Sequence, residues 1–374
     1  MKKQMSRLVL SAAIAVLFLA AVVVRPLAST VQTESNGQDG TSTARAADLE
    51  DSFKDMESLD TDSVEANPVA PDDTDDSTAS TAAVVVAPAP PSTKVYPIPV
   101  PLHGGLDHVA NGVATRNAGF GTIRLRGAPP GATRVRAFLY WGEIITGPIA
   151  LAQTVLFRGV PVTGRLIGVS APPCWPGTAF VAYRASVIAL VAPGINGDYL
   201  VSRLPSSLVD GRDPWLHAPV PAPTPLSEGA SLVVIYSHPS VPLAARVFIN
   251  NGAVMFFGAA AINNPLPAPV PAYGTLKHTR LGADGQVGSS TFAAAPITSE
   301  RTFLNLVQIK GVGSAFNTDS DWNGGDGAPL NQLWDTNTSS LFGNPVPPGA
   351  FNYVVRYVSN GDCIVAVAHV LSVK

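Results

Sequence analysis

The clearest pattern in the chain is strict alternation over Arg134–Trp141 (RVRAFLYW). Val135, Ala137, Leu139 and Trp141 fall on one face and Arg134, Arg136, Phe138 and Tyr140 on the other, which predicts a half-buried strand. Upstream, Ile123 and Leu125 alternate with Thr122, Arg124 and Arg126, and Gly127–Thr133 between them carries Pro129, Pro130 and Gly131. This pair reads as a hairpin. Asn-Gly dipeptides between apolar runs predict three more, because Asn and Gly accept the positive φ of tight strand-reversing turns. They are Arg246–Ile249 with Val254–Phe257 around Asn251-Gly252, Phe351–Val358 with Cys363–Val373 around Asn360-Gly361, and Val181–Val191 with Tyr199–Arg203 around Asn196-Gly197. Ser231–Tyr236 (SLVVIY) is an unbroken apolar run, as expected of a strand covered on both faces. With Leu276–Leu281 and Phe303–Val312 the count reaches about twelve strands, with no βαβ alternation and no fixed repeat. The expected fold is all-β, a two-sheet β-sandwich of jelly-roll type.

Composition agrees. The 374 residues include 34 Pro and 33 Gly with only 14% charged residues, which excludes a coiled coil or helical bundle and places the breakers in turns. A net charge of -3 excludes a strongly basic nucleic-acid binder. The charge is uneven. Twelve acids and one base, Lys54, lie between Asp48 and Asp76, whereas Val95–Lys374 holds 13 acids and 17 Lys or Arg.

That asymmetry divides the chain into three. In residues 1–30, Lys2, Lys3 and Arg7 precede an apolar run, Leu8–Val24, broken only by Ser11. This is the order of an export signal, and the run also falls within the length range of an apolar helix that stays in the membrane as an anchor. Residues 31–94, rich in Ser, Thr, Asp, Ala and Pro, lack the apolar surface to offset the entropy of ordering and predict a disordered tether with a reach of roughly 45 Å. Within it Leu49, Phe53, Met56 and Leu59 share one face of an acidic helical pattern, either a docking motif or chance periodicity. Residues 95–374 form the β domain.

Five blocks of that domain, LIGVSAPPCW, FVAYRASVIALV with GINGDY, EGASLVVIYSHPSVPLAARVFI, GDGAPLNQLWDTNT and GDCIVAVAHVLSV, resemble uncharacterised bacterial exported domains found in large surface proteins beside repeat modules. The resemblance covers Gly121–Val373 and implies extracellular β structure; it carries no activity.

Several constellations bear chemistry. Asp319, Asp321, Asn323 and Asp326, followed by glycines, present side-chain oxygens at the spacing that wraps Ca²⁺, with Asp335 as a further carboxylate. The same residue types also build turns unaided, and Leu330 stands where an EF-hand has its bidentate Glu. Cys174 and Cys363, the two cysteines, are expected to form a disulfide in an oxidising compartment or to remain buried thiols. Arg124, Arg126, Arg134 and Arg136 would share the outer face of the first hairpin as an anion-binding stripe. Among the tryptophans, Trp141 reads as core, while Trp175, Trp215 and Trp322 are the candidates for stacking on sugars. His103, Asp107 and His108 read chiefly as a polar loop. Glu143, Asp198, Asp213 and Glu228 could include the carboxylate pair of a glycosidase, and no GxSxG elbow is present.

The sequence thus points to a non-catalytic extracellular binding or envelope-scaffold module on a flexible tether. Its expected partners are a surface glycan or another anionic envelope polymer, and the membrane if the N-terminal segment is retained. The alternatives are a calcium-assisted, lectin-like carbohydrate binder and a glycoside hydrolase.

Overall fold

A computed structural model describes residues 94–374 except 213, 215–222, 287–299, 312–321 and 323–331. The expected leader and tether, Asp213, Trp215, and the four proposed calcium ligands Asp319, Asp321, Asn323 and Asp326 lie outside the described residues. The described part is all-β and is organised as two sheets.

The first sheet has eight strands: β2 (Leu106–Ala114), β3 (Gly121–Leu125), β4 (Thr133–Ile145), β5 (Ala152–Phe157), β6 (Val160–Ser170), β7 (Ala179–Ser186), β8 (Gly197–Ser202) and β9 (Leu226–Ser237). Their order is β2-β9-β4-β7-β6-β5-β8-β3, so the pairings are nested: β2 with β9, β3 with β8, β4 with β7, β5 with β6. The edge strands approach each other, the Asn111 amide of β2 donating to the Arg124 carbonyl of β3 at 2.7 Å. All eight strands therefore wrap one apolar core, contributed by Val109, Ile123, Leu139, Trp141, Phe157, Leu166, Val181, Tyr199 and Leu232 among others.

The second sheet contains β1 (Val95–Pro97), β10 (Arg246–Pro265), β11 (Thr275–Gln286), β14 (Gln332–Phe342) and β15 (Asn352–Val373) in the order β1-β10-β15-β11-β14. The hairpin β12 (Arg301–Leu304) and β13 (Val307–Gly311) joins it along β15. Val247, Ile249, Leu281, Trp334, Val365 and Val367 pack this sheet onto Phe138, Tyr140, Ile144, Phe180, Val233 and Ile235 of the first. A third core, including Phe248, Phe256, Leu276, Trp322, Leu341 and Tyr357, covers its far face. Strands β4 and β9 thus have apolar layers on both sides. That accounts for the SLVVIY run, every residue of which is buried, and corrects the half-buried reading of β4, whose central residues are buried on both faces.

None of the four expected hairpins forms. β3 pairs with β8, not with β4, and β7 pairs with β4 and β6, not with β8. The other two Asn-Gly pairs lie inside β10 and β15, long antiparallel partners that run from Arg246↔Val373 to Pro265↔Asn352. Instead of reversing, β10 passes through register shifts between Asn251 and Val254 and between Phe257 and Ala259. Gly252 serves close approach: a Cβ there would sit 2.8 Å from the Lys94 carbonyl oxygen, beside β1.

Candidate functional site

A cluster of buried ionisable side chains lies at the seam between the sheets. Each sheet supplies part of it. From the first sheet come Arg116, just after β2, Glu228 on β9, and Trp175 in the β6–β7 connection. From the second come Asp284 on β11, Asp335 on β14 and Asp362 on β15. The Arg116 guanidinium donates to the Glu228 carboxylate and lies 4.4 Å from the Trp175 ring centroid. The Trp175 indole N–H donates to Asp284 Oδ1 at 2.7 Å, which carries the chain of contacts across the seam. Asp362 Oδ1 accepts the Cys363 backbone N–H at 2.9 Å. Gly285 brings β11 against Asp335: a Cβ there would lie 1.8 Å from Asp335 Oδ2. One bond further out, Cys363 is disulfide-bonded to Cys174, with Cα atoms 5.8 Å apart, so a covalent link joins the two sheets at this seam.

Glu228 and Asp284 thus bear on the Arg116 guanidinium, Asp362 bears on Asp284, and Asp335 bears on Asp362. Burial pushes Asp284 well above the usual carboxylate range, and the neighbouring Asp362 and Glu228 push it further against Arg116 and the Trp175 hydrogen bond. Burial raises Asp362 to about 8, the Cys363 N–H pulling it down and Asp335 pushing it up. Glu228 is raised by burial in spite of Arg116. Burial and mutual repulsion thus favour the protonated forms of Asp284 and Asp362. Among the described residues no three His, Cys, Asp or Glu side chains converge in a metal-ligand arrangement.

The sequence candidates among the described residues are dispersed. Trp322 is fully buried, its ring edge-on to Tyr357 at 5.5 Å between centroids, so it belongs to the third core and offers no face to an external sugar. Its backbone carbonyl carbon lies 3.1 Å from the Cβ position of Gly285, which places this point of the 312–331 segment beside Asp335. Trp141 is core, as expected, and stacks on Tyr183.

The arginine stripe does not form on a hairpin, since β3 and β4 are not paired. Arg126 is paired with Asp198 at 2.6 Å on an exposed surface, and Arg124 lies opposite Asp198 in the β3–β8 register. Arg134 donates to the Ile188 and Val191 carbonyls, and Arg136 to that of Val135. Glu143 contacts Gln153 inside the first core, whereas Glu228 contacts Arg116 at the seam.

Two groupings were not anticipated from sequence. One is the seam itself, whose four acids are far apart in sequence. The other is the set of partners around Asp107, which the sequence placed with His108 in a polar loop and the structure places, buried, on β2; Asp107 receives Lys277 Nζ at 2.7 Å, Lys374 Nζ at 2.8 Å and Tyr236 OH at 3.1 Å. Beside it, buried His108 hydrogen-bonds Ser372 at 2.5 Å and Thr279 at 2.7 Å, so β2 is tied to β11 and to the C-terminal end of β15. No protein-family model matches this chain, and no curated protein is similar to it.

Proposed function

We propose that the chain is a non-catalytic extracellular module, of the exported bacterial surface-protein kind its sequence blocks resemble, that binds an envelope polymer or scaffolds the envelope. The observation that carries the reading is the Cys174–Cys363 disulfide between the sheets, a device of proteins matured in oxidising compartments. The rest of the polar inventory supports it. Asp107, Glu228 and Asp284 are spent on internal pairs and hydrogen bonds that hold strands together. The nested pairing of β2–β9 around β3–β8, β4–β7 and β5–β6 favours the jelly-roll class for the eight-stranded sheet. Residues 8–24 would export the module, or hold it in the membrane, with residues 31–94 as its tether.

The test is thiol-alkylation mass shift on chain recovered by surface biotinylation of intact cells of its native host. The reading requires surface-labelled chain whose two cysteines resist alkylation until reduced. Chain confined to the cytosol with both thiols free would refute it.

A calcium-assisted, lectin-like reading is favoured by one placement: Trp322, central to the Asp319–Asp326 run, lies beside Gly285 and Asp335. Calcium titration followed by thermal melting tests it. A rise in melting temperature at millimolar Ca²⁺ that is absent in an Asp321→Ala, Asp326→Ala variant is required, and an unchanged melt ends the idea.

A further inference from the structure

The far face of the seven-stranded sheet holds a polar group that the seam does not touch. β15 bends so far along its length that Tyr357 reaches His369, twelve residues on, and its hydroxyl hydrogen-bonds His369 Nε2 at 2.6 Å. Asn264 Nδ2 donates to the Ile262 carbonyl at 3.0 Å, which fixes Oδ1 as the acceptor facing His369 Nδ1 at 2.6 Å. His369 therefore carries its proton on Nδ1, and both of its nitrogens are satisfied.

Its neighbours are not. His278 on β11 lies 5.6 Å from the His369 ring and edge-on to Tyr353 at 5.8 Å. Neither nitrogen of His278, neither amide atom of Asn250, nor the Tyr353 hydroxyl has a hydrogen-bond partner. Burial raises the Tyr353 hydroxyl, and Asn250 is near enough to offset part of that effect without reaching hydrogen-bonding geometry. Exposure is 0% at His278, 0% at Asn250 and 1% at Tyr353. The three come from adjacent strands, with Asn250 directly opposite His369 in the β10–β15 register. Phe248, Val254, Phe256, Leu276, Leu304 and Ile309 belong to the apolar core that encloses them.

We propose that this polar group is a closed hydration site, in which internal water bridges His278, Asn250 and Tyr353. Buried groups of this kind are rarely left unpaired, and a trapped water satisfies two to four at once, matching the mixed donors and acceptors on offer. Burial keeps both imidazoles neutral, so His278 contributes one donor and one acceptor. The ring spacings are contact distances, which limits the guest to a few atoms. A metal ion fits less well: one of the two imidazoles is already saturated, and the Arg280 charge bears on both. The β12–β13 hairpin is the closure. It contributes Leu304 and Ile309 to the core and is linked to the polar group through Ile309 O, which accepts from Ser339 Oγ, itself the acceptor of Arg280 Nη1. Asn305 pins the hairpin turn to Pro345 and Val354.

Water magnetic relaxation dispersion on the whole chain, with a crystal structure fine enough to show water, tests the site. The expected result is long-lived internal water that diminishes in Tyr353→Phe, a change that removes only a hydroxyl. Water oxygens should lie about 2.7–3.2 Å from His278, Asn250 and Tyr353. Asn305→Gly, which frees the hairpin turn, should shorten the residence time. Direct hydrogen bonds from His278 to Asn250 with no water between them would overturn the proposal. So would a relaxation signal unchanged by Tyr353→Phe, or stoichiometric metal at His278 by elemental analysis.

Discussion

Replacing Glu143 by Gln should stabilise this protein, and more so as pH rises. Glu143 lies on β4 with 3% exposure inside the core of the eight-stranded sheet. Its Oε1 accepts Gln153 Nε2 at 2.5 Å, Gln153 Oε1 in turn accepts the Trp141 indole N–H at 2.6 Å, and Oε2 has no partner. Burial raises its pKa from 4.5 to about 7, the Gln153 hydrogen bond pulling only part of the way back. The folded state thus binds this proton more tightly than the unfolded chain does. Stability from the protonated form is fully present below the ordinary carboxylate value and is lost as pH rises through about 7. Each tenfold gain in proton affinity on folding is worth about 1.4 kcal/mol, so ionised Glu143 costs about 3 kcal/mol. Glu143→Gln keeps the acceptor for Gln153 and cannot ionise. Denaturant unfolding of both proteins at several pH values isolates the effect, because the other groups are common to both. The two stabilities should coincide near about pH 4 and diverge in favour of the variant to about 3 kcal/mol above about pH 8. A difference that does not change with pH would mean that Glu143 has the same pKa folded and unfolded, and would refute the electrostatic account of this core.

Cys174 and Cys363 are 189 residues apart, so replacing both by Ala should lower unfolding stability by about 5 kcal/mol on the chain-entropy model; denaturant curves unchanged by the replacement would contradict it. Because Asp362 is raised to about 8, its contribution should fade as pH rises through that value, and Asp362→Asn should flatten the alkaline limb of the stability profile; an unchanged limb would rule this out. For Asp107, burial raises the pKa, but Lys277, His108 and Lys374 outweigh it and hold the carboxyl well below its usual range, so its contribution is present above the ordinary carboxylate pKa and lost as pH falls. Asp107→Asn should cost about 3–5 kcal/mol at neutral pH, and a cost below about 1 kcal/mol would show the lysines to be adequately solvated alone. A Cβ at Gly229 would lie 2.3 Å from Trp334 Cγ, so Gly229→Ala should lower the melting temperature at a cost of about 1–3 kcal/mol, and a neutral result would show that Trp334 can shift.

Alternation and apolar runs are local, and they identified strands correctly at β4 and β9, although the alternation at β4 did not reveal that both of its faces are covered. Pairing is not local, and the dipeptide used to infer it has two physical origins. Asn251-Gly252 resembles a reversing turn, yet Gly252 has no positive φ and is small because the Lys94–Val95 backbone crosses it. Gly142, Gly164 and Gly229 are strand glycines of the same origin, each giving way to an aromatic ring of Phe180, Trp141 or Trp334. In a body with three apolar cores, a glycine within an apolar run therefore more often marks a layer pressing on the strand than the strand's end. The seam was hidden for a related reason. Glu228, Asp284, Asp335 and Asp362 are far apart in sequence, and each alone looks like an exposed acid at a strand's polar position. Only the stacking of one sheet on the other shows that all four are buried at 3% exposure or less and interact in a series that runs from Arg116 through Glu228, Asp284 and Asp362 to Asp335. The Arg116, Trp175 and Asp284 contacts cross the junction between the layers, so the protonation of Asp284 and the packing of the two sheets are coupled there.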